Sequence, residues 1–182
     1  MEPHLKPSDW ESLLVKHGFG FSNDTPGMAA DLQALNTSVQ TVDGLEVRMV
    51  ADEESLRAWA HIFTMGYGLP AGWEPFVYDL QQKLGLGYPI QSYIGYLHGE
   101  PVSTCCLFLG AGVAGIYSVS TLPKARGRGI GAAITLKPLQ DAYKMGYRIG
   151  TLQSSSMGFP VYRKLGFRHL CQIENFYLAL TH

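Results

Sequence analysis

The sequence predicts a mixed α/β (α+β) fold, a largely antiparallel twisted sheet flanked by helices and preceded by an N-terminal extension. Three observations predict it. From Leu45 onward, stretches in which apolar residues alternate give way to stretches in which they recur every three or four positions, so strands and helices follow one another. Two strand-like runs are separated only by His98-Gly99-Glu100-Pro101, a turn short enough to read as a hairpin. A content of 46% hydrophobic and 16% charged residues in a chain of 182 suits one domain with a substantial core.

Leu45 to Val50 reads as the first strand of this series, with Val47 and Met49 on one face. Asp52 can cap a helix in which Leu56, Trp59, Ala60 and Phe63 share a face, and Glu53 and Glu54 suit its positive end. Gly66 to Gly72 interrupts that helix, and Glu74 to Leu84 forms a second one ended by Gly85 and Gly87. The hairpin strands, Ile90 to Leu97 and Val102 to Leu109, come next, followed by a strand at Gly115 to Thr121. Ile130 to Met145 is expected as a helix broken or kinked near Pro138, because proline has no N–H for the helix ladder. Arg148 to Gln153 is a further strand, and Gly158 to Leu165 a short helix with Gly166 as its C-cap. Phe167 to Ile173 and Glu174 to Leu180 are expected as a closing antiparallel pair, with Phe176, Leu178 and Leu180 on one face.

Residues 1–44 stand outside this series, and 45–182 make the main domain. The early segment nevertheless echoes the end of the chain. At one constant offset, Lys16, Gly18, Phe19 and Leu32 match Lys164, Gly166, Phe167 and Leu180, and Met28 falls in register with Phe176. The expectation is a helix end, a turn and a strand, a partial repeat of the last elements, with Asn36 to Gly44 as a linker; generic turn chemistry is the other source of such identities.

The formal net charge of -1, from 14 basic and 15 acidic residues, supplies no global field for nucleic acid or an anionic membrane, so neither is expected as a partner. Cys105, Cys106 and Cys171 have neither metal-ligand spacing nor an even disulfide framework, and are expected as reduced core thiols with no metal site. Met1 to Trp10 carries charges and two prolines and does not read as a secretory signal. No apolar run nears the roughly 18 residues of a membrane span, so a cytoplasmic protein is expected.

The informative stretch is Thr121-Leu122-Pro123-Lys124-Ala125-Arg126-Gly127-Arg128-Gly129-Ile130-Gly131-Ala132, between an apolar strand and a helix. Gly127, Gly129 and Gly131 have no Cβ to obstruct a ligand, so successive N–H groups can turn toward one anion at the positive end of the helix. Lys124, Arg126 and Arg128 add cationic charge at the same turn. A diphosphate suits this chemistry better than the plain alternative of a tight turn with solvated basic residues.

The segment resembles the acyl-CoA signature of GNAT acetyltransferases, R/Q-x-x-G-x-G/A, with Arg126, Gly129 and Gly131 in the defining positions. Similarity to the family spans about Leu45 to Leu180 and is strongest from Ile116 to Arg168. The resemblance implies a GNAT-like fold, acetyl-CoA as acyl donor, an amine acceptor, and room for a homodimer. It places Val119, Ser120 and Thr121 beside the pantetheine arm and Gly127, Arg128, Gly129, Ile130, Gly131 and Ala132 at the pyrophosphate. A second family-like block, Met157 to Phe167, puts Tyr162 where GNAT proteins often carry a tyrosine that protonates the departing thiolate. A phenol with a reference pKa near 10 keeps its proton at neutral pH and can donate it. Many relatives have asparagine seven residues before that tyrosine; this chain has Ser155, which is carried as a cofactor-binding residue with its contact in doubt. In the early echo the matching position is Leu14, which cannot be an acid.

The function expected is therefore direct attack of a primary amine, of a small molecule or peptide, on acetyl-CoA in a ternary complex. Glu74, Asp79, His98 and Glu100 are candidate bases, none assigned. Tyr67, Trp73, Phe76 and Tyr78 gather near the first helix break and could line an acceptor pocket, although aromatics at helical spacing more often belong to a core. One rival is a non-catalytic acyl-CoA sensor or interaction module. A remoter one is a dinucleotide-dependent oxidoreductase, since Gly127, Gly129 and Ala132 also fit G-x-G-x-x-A; no acidic residue follows at Arg148 to Ser156 to hold a ribose.

Overall fold

The strands foreseen from alternation join one sheet, and the computed structural model describes residues 9–38 and 42–178 of it. In chain order the strands are β1 (Phe19–Asp31), β2 (Leu45–Met49), β3 (Ile90–Leu97), β4 (Glu100–Gly110), β5 (Val113–Thr121), β6 (Ile149–Gln153) and β7 (Arg168–Leu178). The helices are α1 (Trp10–Lys16), α2 (Glu53–Tyr67), α3 (Glu74–Leu84), α4 (Ile130–Lys144) and α5 (Phe159–Leu165). The sheet order is β2-β3-β4-β5-β6-β1-β7, and β5 with β6 is its parallel pair. This is the mixed, mainly antiparallel architecture expected, and not the doubly wound parallel sheet a dinucleotide-binding domain would need.

The period of two along β4 decides which helices cover which face. Cys106 of β4 and Ile94 of β3 pack with Leu56, Trp59 and Ala60 of α2 and Val77 of α3. Cys105, Leu107 and Tyr93 pack instead with Ile134 and Leu139 of α4 and with Leu165 and Phe167 at the end of α5. The two adjacent cysteines are both buried, as foreseen, but on opposite faces. Cys171 departs from the expectation: it is exposed on the edge strand β7, whose outer side has no sheet partner among the described residues.

The ends of α2 are set by local chemistry. Asp52 accepts a hydrogen bond from the Ser55 N–H at 2.8 Å, while the Ser55 hydroxyl accepts from the Asp52 N–H at 3.2 Å, which is a reciprocal cap. The helix continues through Gly66 and stops at Gly68, whose φ of 69° is left-handed, so the expected interruption begins two residues late. Gly66 is a packing position: a Cβ there would lie 2.6 Å from the Ser120 hydroxyl of β5.

Three further expectations are corrected. The turn between β3 and β4 is confined to His98 and Gly99, both with positive φ, and the strand resumes at Glu100. The α4 helix runs unbroken past Pro138, because that residue is buried and flanked by core-facing Leu136 and Leu139, whose packing outweighs one missing ladder bond. The chain end is a single long strand in place of a hairpin. β7 finds its antiparallel partner in β1, from Phe19 opposite Leu178 to Ala29 opposite Arg168, so no turn near Ile173 is needed. Leu180 lies outside the described residues.

The first 44 residues thus contribute a strand to the interior of the sheet. β1 lies between β6 and β7, pairing with β6 from Gly27 opposite Gln153 to Asp31 opposite Ile149. The expected helix end, turn and strand are all present: α1 ends at Lys16 and Gly18 has φ 85°, as α5 ends at Leu165 and Gly166 has φ 105°. Of the linker, residues 36–38 and 42–44 are described and carry no helix or strand.

Candidate active site

β5 and β6 run side by side only from Ala114 to Ile116, opposite Gly150 to Leu152; beyond this the two strands part while β5 continues to Thr121. The divergence opens a cleft of about 1080 Å³. One wall is the end of β5, with Val119, Ser120 and Thr121; the floor of the mouth is the turn into α4; the far wall is α5 with Val161 and Tyr162. Gly66 and Tyr67 close the α2 side, and Asn36 and Ser38, from the chain between β1 and β2, reach the α5 side.

β5 is irregular where it borders the cleft. Cys106 pairs with Tyr117 and Thr104 with Ser120, so Cys105 faces two residues, Ser118 and Val119. This is a bulge, and Ser118 takes a left-handed φ of 53°. The Ser118 carbonyl is held by the Thr104 hydroxyl at 3.0 Å, and the Ser120 hydroxyl also faces Thr104, at 2.9 Å. The Ser120 side chain therefore points into the protein and leaves only its main chain for the cleft. No sequence signal marked the bulge, since its left-handed residue is a serine rather than a glycine.

At the mouth of α4, none of the N–H groups from Gly127 to Gly131 has a hydrogen-bond partner among the described residues. The ladder begins only with Ala132 and Ala133, which both donate to the Gly129 carbonyl at 3.1 and 3.2 Å. Gly127 and Gly129 have φ of 74° and 83°, a region in which other residues are strained, and α4 has no side-chain cap. A Cβ on Gly127 or Gly131 would meet no atom within 4 Å. These glycines leave open space over a row of unpaired donors at a helix N-terminus, which is an anion cradle.

The cations of that turn divide their roles. Arg126 lines the cleft, yet its guanidinium donates to the carbonyls of Thr121 at 2.9 Å and Gly66 at 2.7 Å, clamping the end of β5 to α2. Arg128 is exposed and is not among the residues that line the cleft. Lys164, which sequence reasoning passed over, lines it from the last turn of α5.

Tyr162 is 8% exposed, and burial raises its pKa well above the ordinary phenol value, with Cys105 and Tyr67 adding to the rise and Thr135 opposing it. The ring fits because residue 158 is glycine: a Cβ there would stand 2.7 Å from a ring carbon of Tyr162. Ser155 lies at the same turn, where its hydroxyl accepts from the Gly158 N–H at 3.1 Å. A second phenol enters the cleft from α2. Tyr67 is 49% exposed as a whole residue, but the burial of its phenol pushes its pKa up to about 12, with Cys105 and Cys106 as lesser causes.

The other aromatics do not gather around this cleft. Trp73 and Phe76 are exposed, and Tyr78 lies under the Arg57 guanidinium beside a smaller hollow formed by α2 and α3. Of the candidate bases, Glu74 pairs with His61 at 2.8 Å and lines that hollow with Asp79, while His98 and Glu100 are exposed at the β3–β4 turn. All four lie away from the cleft. Among the described residues no cluster of His, Cys, Asp or Glu could hold a metal ion, and no helix is long and apolar enough to cross a membrane.

Residues 111–170 match the family model of the acetyltransferase (GNAT) domain, a span that contains the β5 bulge, the cradle and Tyr162. That third of the chain is similar to the GNAT domain, and the chain shares its fold with solved GNAT proteins. Among solved GNAT structures, a GCN5-related N-acetyltransferase from Kribbella flavida is 24% identical with a TM-score of 0.68, over 89% of this chain and 60% of that one. A GCN5-related N-acetyltransferase from Sphaerobacter thermophilus is 22% identical with a TM-score of 0.70, over 92% of this chain and 55% of that one. A predicted acetyltransferase with acetyl-CoA from Clostridium acetobutylicum is 17% identical with a TM-score of 0.57, over 69% of this chain and 91% of that one. The chain therefore spans little more than half the length of the first two proteins. No curated protein matches it significantly.

Proposed function

We propose that this chain is an N-acetyltransferase of the GNAT superfamily that binds acetyl-CoA in the cleft between β5 and α5 and passes the acetyl group to a primary amine. The observation that carries the reading is the run of unpaired N–H groups from Gly127 to Gly131, facing space that only glycines leave open. A diphosphate fits that donor set, which offers several N–H groups at the positive end of a helix and no carboxylate to oppose it.

In this reading Gly127 to Ala132 hold the diphosphate through their main chain, and the splayed edge of β5 at Val119 to Thr121 aligns the pantetheine arm. Arg126 is a positioning residue, fixing the strand end through the carbonyls it already holds. Ser155 keeps its place in the wall, with a hydroxyl turned to the Gly158 N–H. Acetyl-CoA, when bound, supplies an acyl group activated as a thioester. Tyr162 holds its proton throughout the neutral range, because burial disfavours the phenolate, and presents its O–H to the leaving sulfur. With a pKa above that of a thiol, it stabilises the thiolate chiefly as a hydrogen-bond donor.

The domain reading extends the same proposal. Within the 1–44 extension, Trp10 to Asp31 form a partial GNAT-like repeat of the closing helix, turn and strand, followed by a linker from Asn36 to Gly44, and β1 fills the gap between β6 and β7 of the main domain. The left-handed glycines at 18 and 166, each just after a helix and before a strand, support it.

Calorimetric titration with acetyl-CoA, CoA and NAD, followed by a panel of amines with detection of released thiol, tests the proposal. Binding of acetyl-CoA and thiol release are expected. NAD binding without CoA binding would remove the reading, and CoA binding without turnover over a broad panel would make the chain an acyl-CoA sensor.

A further inference from the structure

Among the described residues, the ionisable side chains that line the cleft are two phenols and two cations: Tyr67 from α2, Arg126 from the turn, and Tyr162 and Lys164 from α5. Cys105 of β4 lies behind the phenols, fully buried, and burial pushes its thiol pKa well up. Both phenols and the thiol keep their protons at neutral pH. The phenols hold their protons more firmly than usual. Around them the wall is apolar, with Val119, Ile130, Met157 and Val161.

Such a lining has two consequences for the acceptor. An ammonium ion entering it meets like charge and loses hydration without gaining a carboxylate. Once inside, it meets no carboxylate or imidazole among the described residues of the lining that could take its proton at pH 7. A lysine-like amine with a pKa of about 10.4 is neutral in only about one molecule in 2,500 at that pH. Resting on the acetyltransferase reading above, we infer that the acceptor is a weakly basic amine, of the arylamine class, that reaches the cleft already neutral. The nitrogen lone pair forms the bond to the acyl carbon as the carbon–sulfur bond breaks. The electron pair of that bond leaves on sulfur, and the proton lost by nitrogen is matched by the one the thiolate gains, relayed through water and the Tyr162 hydroxyl. No other co-reactant is required. The half-exposed Tyr67 ring and the apolar wall suit an aromatic ring.

Aniline and cyclohexylamine test this, being close in size and differing in whether they are protonated at pH 7. With the full chain saturated with acetyl-CoA, kcat/KM for each is measured by thiol release from pH 6.5 to pH 9. For aniline the profile should be flat. For cyclohexylamine it should climb about tenfold per pH unit, because only the neutral fraction reacts. A cyclohexylamine profile that levels off through a midpoint between pH 6 and pH 8 would reveal a protein base and overturn the inference, as would thiol release from cyclohexylamine but not from aniline. Acetyl-CoA binding with no release from either amine overturns it too, while leaving the cofactor site standing. Absence of acetyl-CoA binding in calorimetry instead sinks the reading beneath it.

Discussion

Gly131→Glu separates the cradle from the fold, because its two effects have opposite signs. Gly131 sits in the first turn of α4 with ordinary helical backbone, and a Cβ there meets nothing within 4 Å. Replacing a helical glycine gains roughly 0.5–1 kcal/mol through lost backbone freedom in the unfolded chain. A carboxylate at a helix N-terminus adds about 0.3–1 kcal/mol. The unliganded variant should thus be about 1–2 kcal/mol more stable, and at about 2–4 °C per kcal/mol for a domain of this size its Tm should rise by about 2–8 °C. Acetyl-CoA should suffer the reverse. The new carboxylate would occupy the N–H groups, repel a diphosphate and fill its space, costing at least ~100-fold in affinity, or about 2.7 kcal/mol. Differential scanning calorimetry of the free protein and isothermal titration with acetyl-CoA measure the two effects. A lower Tm would mean the space over Gly131 is not open. Unchanged affinity would refute the assignment of these amides to the diphosphate.

Three other perturbations address the remaining parts of the site. Tyr162→Phe should lower kcat by about 100-fold or more while changing acetyl-CoA affinity less than about threefold, in stopped-time thiol assays and titration; equal turnover would remove the proton-donor role. Gly66→Ala forces a methyl against the Ser120 hydroxyl, 2.6 Å from where its Cβ would stand, and should destabilise the fold by about 1–3 kcal/mol in urea unfolding. A neutral result there would show that α2 does not pack tightly on β5. Tyr67 should make stability fall between pH 10 and pH 12: the unfolded phenol ionises from about 10, whereas the folded one keeps its proton to about 12, so the unfolded state binds fewer protons across that window. Urea midpoints at pH 9 and pH 11.5 should differ less in Tyr67→Phe than in the parent, and equal differences would mean that the phenol is not shielded.

Much of the site was legible because its chemistry is local. Gly127, Gly129 and Gly131 state by their own backbone preferences that a loop approaches something closely, and the helix that follows is marked by its apolar spacing. Asp52 and Gly166 announced helix ends through short-range hydrogen bonding and left-handed geometry in the same way. Arg126 was legible as a cation at the turn and misleading as to its work, because the carbonyl it holds on Gly66 is 60 residues away in the chain.

By itself, then, the amino-acid sequence determined the elements from β2 to α5 and the glycine cradle, since each depends on interactions within a few residues, while Tyr162 was marked by its resemblance to the family. Only the tertiary structure decided that β1 enters the sheet and straightens the chain end into one strand, that Ser118 bulges, and that Tyr67 and Lys164 share the cleft with Tyr162. Strand pairing and cleft lining bring together residues from opposite ends of the chain. Their free energy lies in contacts and burial, which no single stretch of sequence carries.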